Sequence, residues 1–206
     1  KENSSAVIFF LMDVSGSMSQ DRKYLARSFF FLLYQFLNHK YEKVEVVFIS
    51  HSTEANRVTE ADFFKVGTYG GTIVSSCLDL ELDTIEKEFH PNSWNIYSFY
   101  CGDGENWSSD NEKCIDLFKQ IKEVSQLTGY CEINEHYKGM ADEVDESDPF
   151  HGTPWGTFSA WKNEEMDNLW SKLSPICDNT FKRIMIGEPE HIWRAFHNMF
   201  GGKSTS

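Results

Sequence analysis

Basic residues are scarce in this sequence: 19 Lys and Arg stand against 32 Asp and Glu, for a net charge of −13. A surface so acidic repels phosphate backbones and anionic headgroups, so nucleic acid and membrane are not expected partners. It suits a cation or a basic partner, although acidity alone singles out neither. No apolar run reaches the roughly 18 residues of a membrane span, and no secretory leader is visible. Cysteine is present without pattern: Cys77, Cys101, Cys114, Cys131 and Cys177 are odd in number and form no CxxC. Three fall inside apolar patterns, which reads as buried thiols in a reducing, cytoplasmic setting. The GxSxG elbow, HExxH and the P-loop are absent too, and GGKS at 201–204 lacks the earlier glycine and the preceding strand that a P-loop needs. The first residue is Lys1 rather than Met, so the 206 residues are expected to be the C-terminal part of a longer protein. That length can bury a substantial core as one domain, 1–206.

What the chain does have is concentrated at residues 7–18, VIFFLMDVSGSM. The apolar stretch 7–12 has the length of a buried strand. It stops at Asp13, a Ser-Gly-Ser turn follows, and Tyr24, Leu25, Phe29, Leu32, Leu33, Phe36 and Leu37 then recur at the spacing of a helix with a wide apolar face. An acid and two hydroxyls thus sit on a turn between a buried strand and a helix, where open α/β folds bind ligands.

Further strands are expected at 44–49, 94–101, 130–134 and 181–186, with 55–58 as a short returning edge strand. Helices are expected at 19–39, after the glycine loop 68–72, at 111–127 stopped by Gly129, at 161–173 and at 189–200. The helix after the glycine loop should turn Ile73, Cys77, Leu80 and Ile85 inward. This alternation predicts an α/β protein of three layers, helix–sheet–helix, with a mostly parallel central sheet and one short antiparallel edge strand. Residues 135–160 break the pattern and read as an insertion.

Three loops then carry oxygen donors: Asp13, Ser15 and Ser17 on the first, Thr72 on the second, Asp103 with Glu105 beside it on the third. Hard oxygens without His or Cys suit Mg²⁺, with Mn²⁺ or Ca²⁺ as alternatives, rather than zinc. Two carboxylates and three neutral hydroxyls leave such an ion under-neutralised, so a carboxylate from a protein partner is expected to complete its shell. The competing reading makes these residues turn formers and helix caps: Ser17 with Gln20 has capping-box spacing, Thr72 suits an N-cap, and Asp103 precedes Gly104. His51, His90, His136 and His151 are placed in loops, in contact with water.

DVSGS at 13–17 resembles the DxSxS motif of von Willebrand factor A domains, and Gly71-Thr72 and Asp103-Gly104 resemble the other two parts of their metal-ion-dependent adhesion site. Over about residues 6–199 the resemblance implies a Rossmann-like fold, with Ser15, Ser17 and Thr72 on a Mg²⁺ and Asp13 and Asp103 acting directly or through water. Gly102 departs from it, since a Thr commonly precedes that Asp. LMDVSGSM, ARSFFFLLYQFL, VEVVFISHSTEA, GGTIVSS and WNIYSF…GDGENW further resemble the YeaH/YhbH family of bacterial sporulation and stress proteins. That resemblance implies an association with a PrkA-type serine kinase and a SpoVR-type protein.

The expected function is therefore metal-dependent protein–protein recognition without catalysis. The alternative is a Mg²⁺-dependent phosphoryl-transfer enzyme using Asp13, although a haloacid-dehalogenase phosphatase would carry a second Asp where Ser15 stands. A third possibility is a structural domain whose site is vestigial. Residues 135–160 are expected to emerge on the metal side as a lid or partner surface. Their acids Asp142, Glu143, Asp145, Glu146 and Asp148 would be candidates for the open metal position, and Phe150 and Trp155 would serve as anchors. Trp107 is close enough in sequence to Asp103 to line the site.

Overall fold

The computed structural model of the chain describes residues 4–65, 67, 70–135 and 168–200. Six strands, β1 (Ser5–Asp13), β2 (Lys43–His51), β3 (Ala55–Val58), β4 (Asn95–Gly102), β5 (Leu127–Ile133) and β6 (Phe181–Ile186), form one sheet in the order β3-β2-β1-β4-β5-β6. All neighbours are parallel except the edge pair β2–β3, which is antiparallel. The expected fold class is the one observed.

Strand β1 lies at the centre and has no wet face, which is why its sequence is continuously apolar rather than alternating. The period of two still sorts its side chains. Ile8, Phe10 and Met12 pack with α1 (Gln20–Lys40), α2 (Glu60–Phe63) and α6 (Pro189–Phe200). Val7, Phe9 and Leu11 pack on the other side with α3 (Ser75–Glu88), α4 (Asn111–Val124) and α5 (Leu169–Lys172). Phe10 stacks on Phe30 of α1 at 4.3 Å between ring centres. Burying such a ring is worth about 1.5–3 kcal/mol, so these contacts hold α1 against the sheet. Tyr24, expected on the inner face of α1, is 63% exposed, and Ala26 and Phe30 take inner positions instead. In α3, Glu81 and Thr84 join Cys77 and Ile85 in the interior, while Leu80 is only half-buried.

Two expected boundaries differ. Helix α4 ends at Val124 with Ser125 as its cap, and Gly129 lies inside β5 rather than at a helix stop. A Cβ on Gly129 would run into Met199 of α6 and lie 2.9 Å from the Phe99 ring. Glycine here makes room for a helix against the sheet, a demand that comes from residues far away in the chain. Of the helix expected at 161–173, the described part is α5. Of the insertion and lid expected at 135–160, all but Glu135 lies outside the described residues.

All five cysteines are free thiols, Cys177 half-buried and the others buried. No helix among the described residues is long and apolar enough to cross a membrane.

Candidate functional site

The strand order reverses direction of growth between β1 and β4, which places the crevice of the fold beyond their C-terminal ends. Asp13 ends β1, and Asp103 follows the last residue of β4. The parallel register sets Met12 beside Cys101 and Asp13 beside His51 of β2, so three strand ends meet at one edge.

Asp13 is fully buried. Its Oδ1 accepts the backbone N–H of Ser15 at 2.7 Å, which tightens the turn. Its Oδ2 is buried without a hydrogen-bond partner among the described residues. Burial raises its pKa to about 6, against the lowering by the Ser15 hydrogen bonds, and the charges of Asp103 and Glu105 push the same way as burial. An ionised oxygen in that position lacks the compensation that buried charge requires.

The hydroxyls of Ser15 and Ser17 share a hydrogen bond at 3.1 Å, and Ser17 reaches the Glu105 carboxylate at 3.4 Å. Ser17 does not cap α1. The cap is Ser19, whose Oγ accepts the N–H of Arg22 at 3.2 Å, so the Ser17 hydroxyl is left to the crevice. Asp103 accepts the N–H of Glu105 on Oδ1 at 3.2 Å. Its Oδ2 accepts Arg22 Nη1 at 3.0 Å, and the same nitrogen donates to the Ser17 carbonyl at 2.9 Å.

Thr72 is buried, and its loop is tied to the same edge by two backbone bonds, Ile73 N–H to the Ser52 carbonyl at 2.8 Å and Trp107 N–H to the Thr72 carbonyl at 3.2 Å. It is not a helix cap. The N-cap position of α3 is Val74, and the first amides of that helix go to side chains from the third loop: Val74 N–H to Asn106 Oδ1 at 3.0 Å and Ser75 N–H to Asp110 Oδ2 at 3.0 Å. Thr72 also lines a cavity of about 300 Å³ with Gly71, Glu105, Asn106, Trp107 and Asn168. Gly71 is required where the Trp107 indole crosses it, since a Cβ would lie 2.6 Å from the ring nitrogen. The third loop turns at Gly104, whose φ of 89° suits glycine and whose missing Cβ leaves room for the Glu132 carboxylate.

The donor set of Asp13, Ser15 and Ser17 fits a hard divalent cation: neutral hydroxyls beside a buried carboxylate oxygen with nothing else to bind. Asp103 fits less directly, because both of its oxygens are already engaged. Among the described residues no group of three or more His, Cys, Asp or Glu is placed to hold a metal, so any ion here would depend on hydroxyls.

Several residues of the site were not expected. His51, placed by pattern in a wet loop, is the buried last residue of β2, and burial pushes its pKa down to about 4. Its Nε2 has no hydrogen-bond partner among the described residues. Glu132 lies under Gly104, and Lys23 is buried beside the first loop, its ammonium pushed down by burial while the Asp13 charge acts the other way. Arg22 and Lys23 did leave a signal: two cations in the first turn of a helix oppose its dipole, so something acidic must face them.

The fold and the site define a doubly wound α/β domain with an acidic, hydroxyl-bearing loop at its switch point. The chain belongs to the family described as "Protein of unknown function (DUF444)", whose pattern it matches over residues 1–203. It is 49% identical over 144 residues to a UPF0229 protein of Ruminiclostridium cellulolyticum, a match covering 70% of this chain and 36% of that protein. It is 52% identical over 134 residues to UPF0229 protein OB2647 of Oceanobacillus iheyensis, covering 65% and 34%. The chain therefore spans about a third of the length of these curated relatives. Among solved structures it is similar to the conserved hypothetical protein BatB from Bacteroides thetaiotaomicron, with a TM-score of 0.49 and 15% identity over 63% of this chain and 67% of that one. At that distance the likeness carries no function.

Proposed function

We propose that the chain is a non-catalytic protein-recognition domain that works through a divalent cation, Mg²⁺ by preference, held by Asp13, Ser15, Ser17 and Thr72 with Asp103 in support. The observation that carries this reading is the buried, unpartnered Oδ2 of Asp13 beside the paired Ser15 and Ser17 hydroxyls. A bound ion would supply the charge that this oxygen lacks and leave a position for a carboxylate from a partner protein. The finer setting, sporulation or stress response with a PrkA-type kinase and a SpoVR-type protein, is supported by the sequence resemblance alone.

The test is retention of such partners by the full-length protein in Mg²⁺ and in EDTA, for wild type and Asp13→Asn. Retention that needs Mg²⁺ and Asp13 is the expected result. Partner binding indifferent to both would sink the reading. Turnover of a phosphoester with Mg²⁺, abolished by Asp13→Asn, would replace it with phosphoryl transfer.

A further inference from the structure

Arg22 brings a permanent positive charge into a crevice read as a cation site. We propose that Arg22 sets the affinity of this site by occupying Asp103 whenever the divalent ion is absent, so that the ion must displace a guanidinium to enter. The inference rests on the reading of Asp13, Ser15, Ser17 and Asp103 as a cation site.

Arg22 lies in the first turn of α1, where the positive end of the helix dipole disfavours a cation. It stays because one nitrogen, Nη1, bridges the Ser17 carbonyl and Asp103 Oδ2. The Asp103 side chain is 2% exposed and that of Arg22 is 19% exposed, so the pair is poorly screened by water. Arg22 and Asp103 are 81 residues apart in sequence, and the bridge through Nη1 ties the first loop to the third. With Oδ1 turned to the Glu105 amide, both oxygens of Asp103 are in use. A divalent ion drawing on Asp103, directly or through water, would meet the guanidinium at the same carboxylate, and the two cations repel.

Arg22 has a way out. Its side chain is partly open to water, and its Nε is buried without a hydrogen-bond partner among the described residues, so the group is not locked by a full set of bonds. Guanidinium keeps its charge at every accessible pH. The bridge also lowers the repulsion between acids in the empty site, because the Arg22 guanidinium balances the Asp103 carboxylate.

Free Mn²⁺ measured by electron paramagnetic resonance during titration of the protein, at constant ionic strength, tests this on wild type, Arg22→Met and Arg22→Lys. Arg22→Met is expected to bind Mn²⁺ about tenfold more tightly than wild type. It should also melt at a lower temperature without metal and gain more from adding it. Arg22→Lys keeps the charge on a shorter side chain that reaches less far toward Asp103, and is expected to bind more tightly than wild type by a smaller factor. Equal or weaker binding by a folded Arg22→Met protein overturns the proposal. Should that variant fail to fold, unchanged affinity in Arg22→Lys overturns it. Absence of Mn²⁺ binding in all three proteins removes the cation site itself, and the proposal with it.

Discussion

Glu81 of α3 accepts a 3.0 Å hydrogen bond from the hydroxyl of Ser98 on β4, inside the layer between helix and sheet. Glu81 is fully buried, and its Oε1 has no hydrogen-bond partner among the described residues. Burial raises its pKa from 4.5 to about 8, and the Ser98 hydrogen bond offsets part of that rise.

The folded state therefore holds this proton more tightly than the unfolded chain. Its stabilising contribution is complete below about pH 4.5 and is lost as the pH rises to about 8. Glu81→Gln should remove that dependence, raising stability at pH 9 by on the order of a few kcal/mol and changing it little at pH 5. Urea melts of both proteins at the two pH values check this. A variant no more stable than wild type at pH 9 would refute it.

Asp13 predicts a trade between stability and binding. Its raised pKa means that ionisation at pH 7 costs the empty protein free energy. Asp13→Asn should stabilise the metal-free protein by about 1–3 kcal/mol and abolish any rise in melting temperature on adding Mg²⁺. Binding to the native state alone stabilises by RT ln(1 + [L]/Kd). Thermal melts in EDTA and in millimolar Mg²⁺, Mn²⁺ and Ca²⁺ supply both readings. Identical wild-type melts under all four conditions would count against a site of appreciable affinity.

Thr72 and Asp110 should separate ligand from cap. Helix α3 donates its first amide hydrogen bonds to Asn106 and Asp110, and Asp110 Oδ1 also accepts the Ser75 hydroxyl at 2.6 Å. Asp110→Ala should cost about 1–2 kcal/mol and leave metal affinity nearly unchanged. Thr72→Ala should lose metal binding with little loss of stability. Calorimetric titration and denaturation of the two variants would show the opposite pattern if Thr72 were only structural.

Gly102 stands where the resembled domains commonly have Thr, and a Cβ there would strike the Tyr100 hydroxyl. Gly102→Ala should destabilise by about 1–3 kcal/mol through overpacking. Tyr100→Phe removes the nearest atom but leaves ring carbons at 2.9 and 3.0 Å, so the double variant should recover part of that loss. Additive effects of the two changes would show that the hydroxyl is not the obstacle.

By itself the sequence determined the alternation of buried strands with amphipathic helices, and therefore the layered α/β architecture. It also placed an acid at the end of β1 and hydroxyls just after it, because apolar period and turn chemistry are local properties that each segment displays alone. The antiparallel edge strand was legible for the same reason. Only the tertiary structure decided which residues share the crevice. Parallel register sets Asp13 beside His51, and packing brings Arg22 to Asp103 and Gly129 under Met199. It also decided that Glu81 and His51 are buried and that Ser19, not Ser17, caps α1. Each of these depends on what a distant strand or helix places alongside, and no local pattern carries that information.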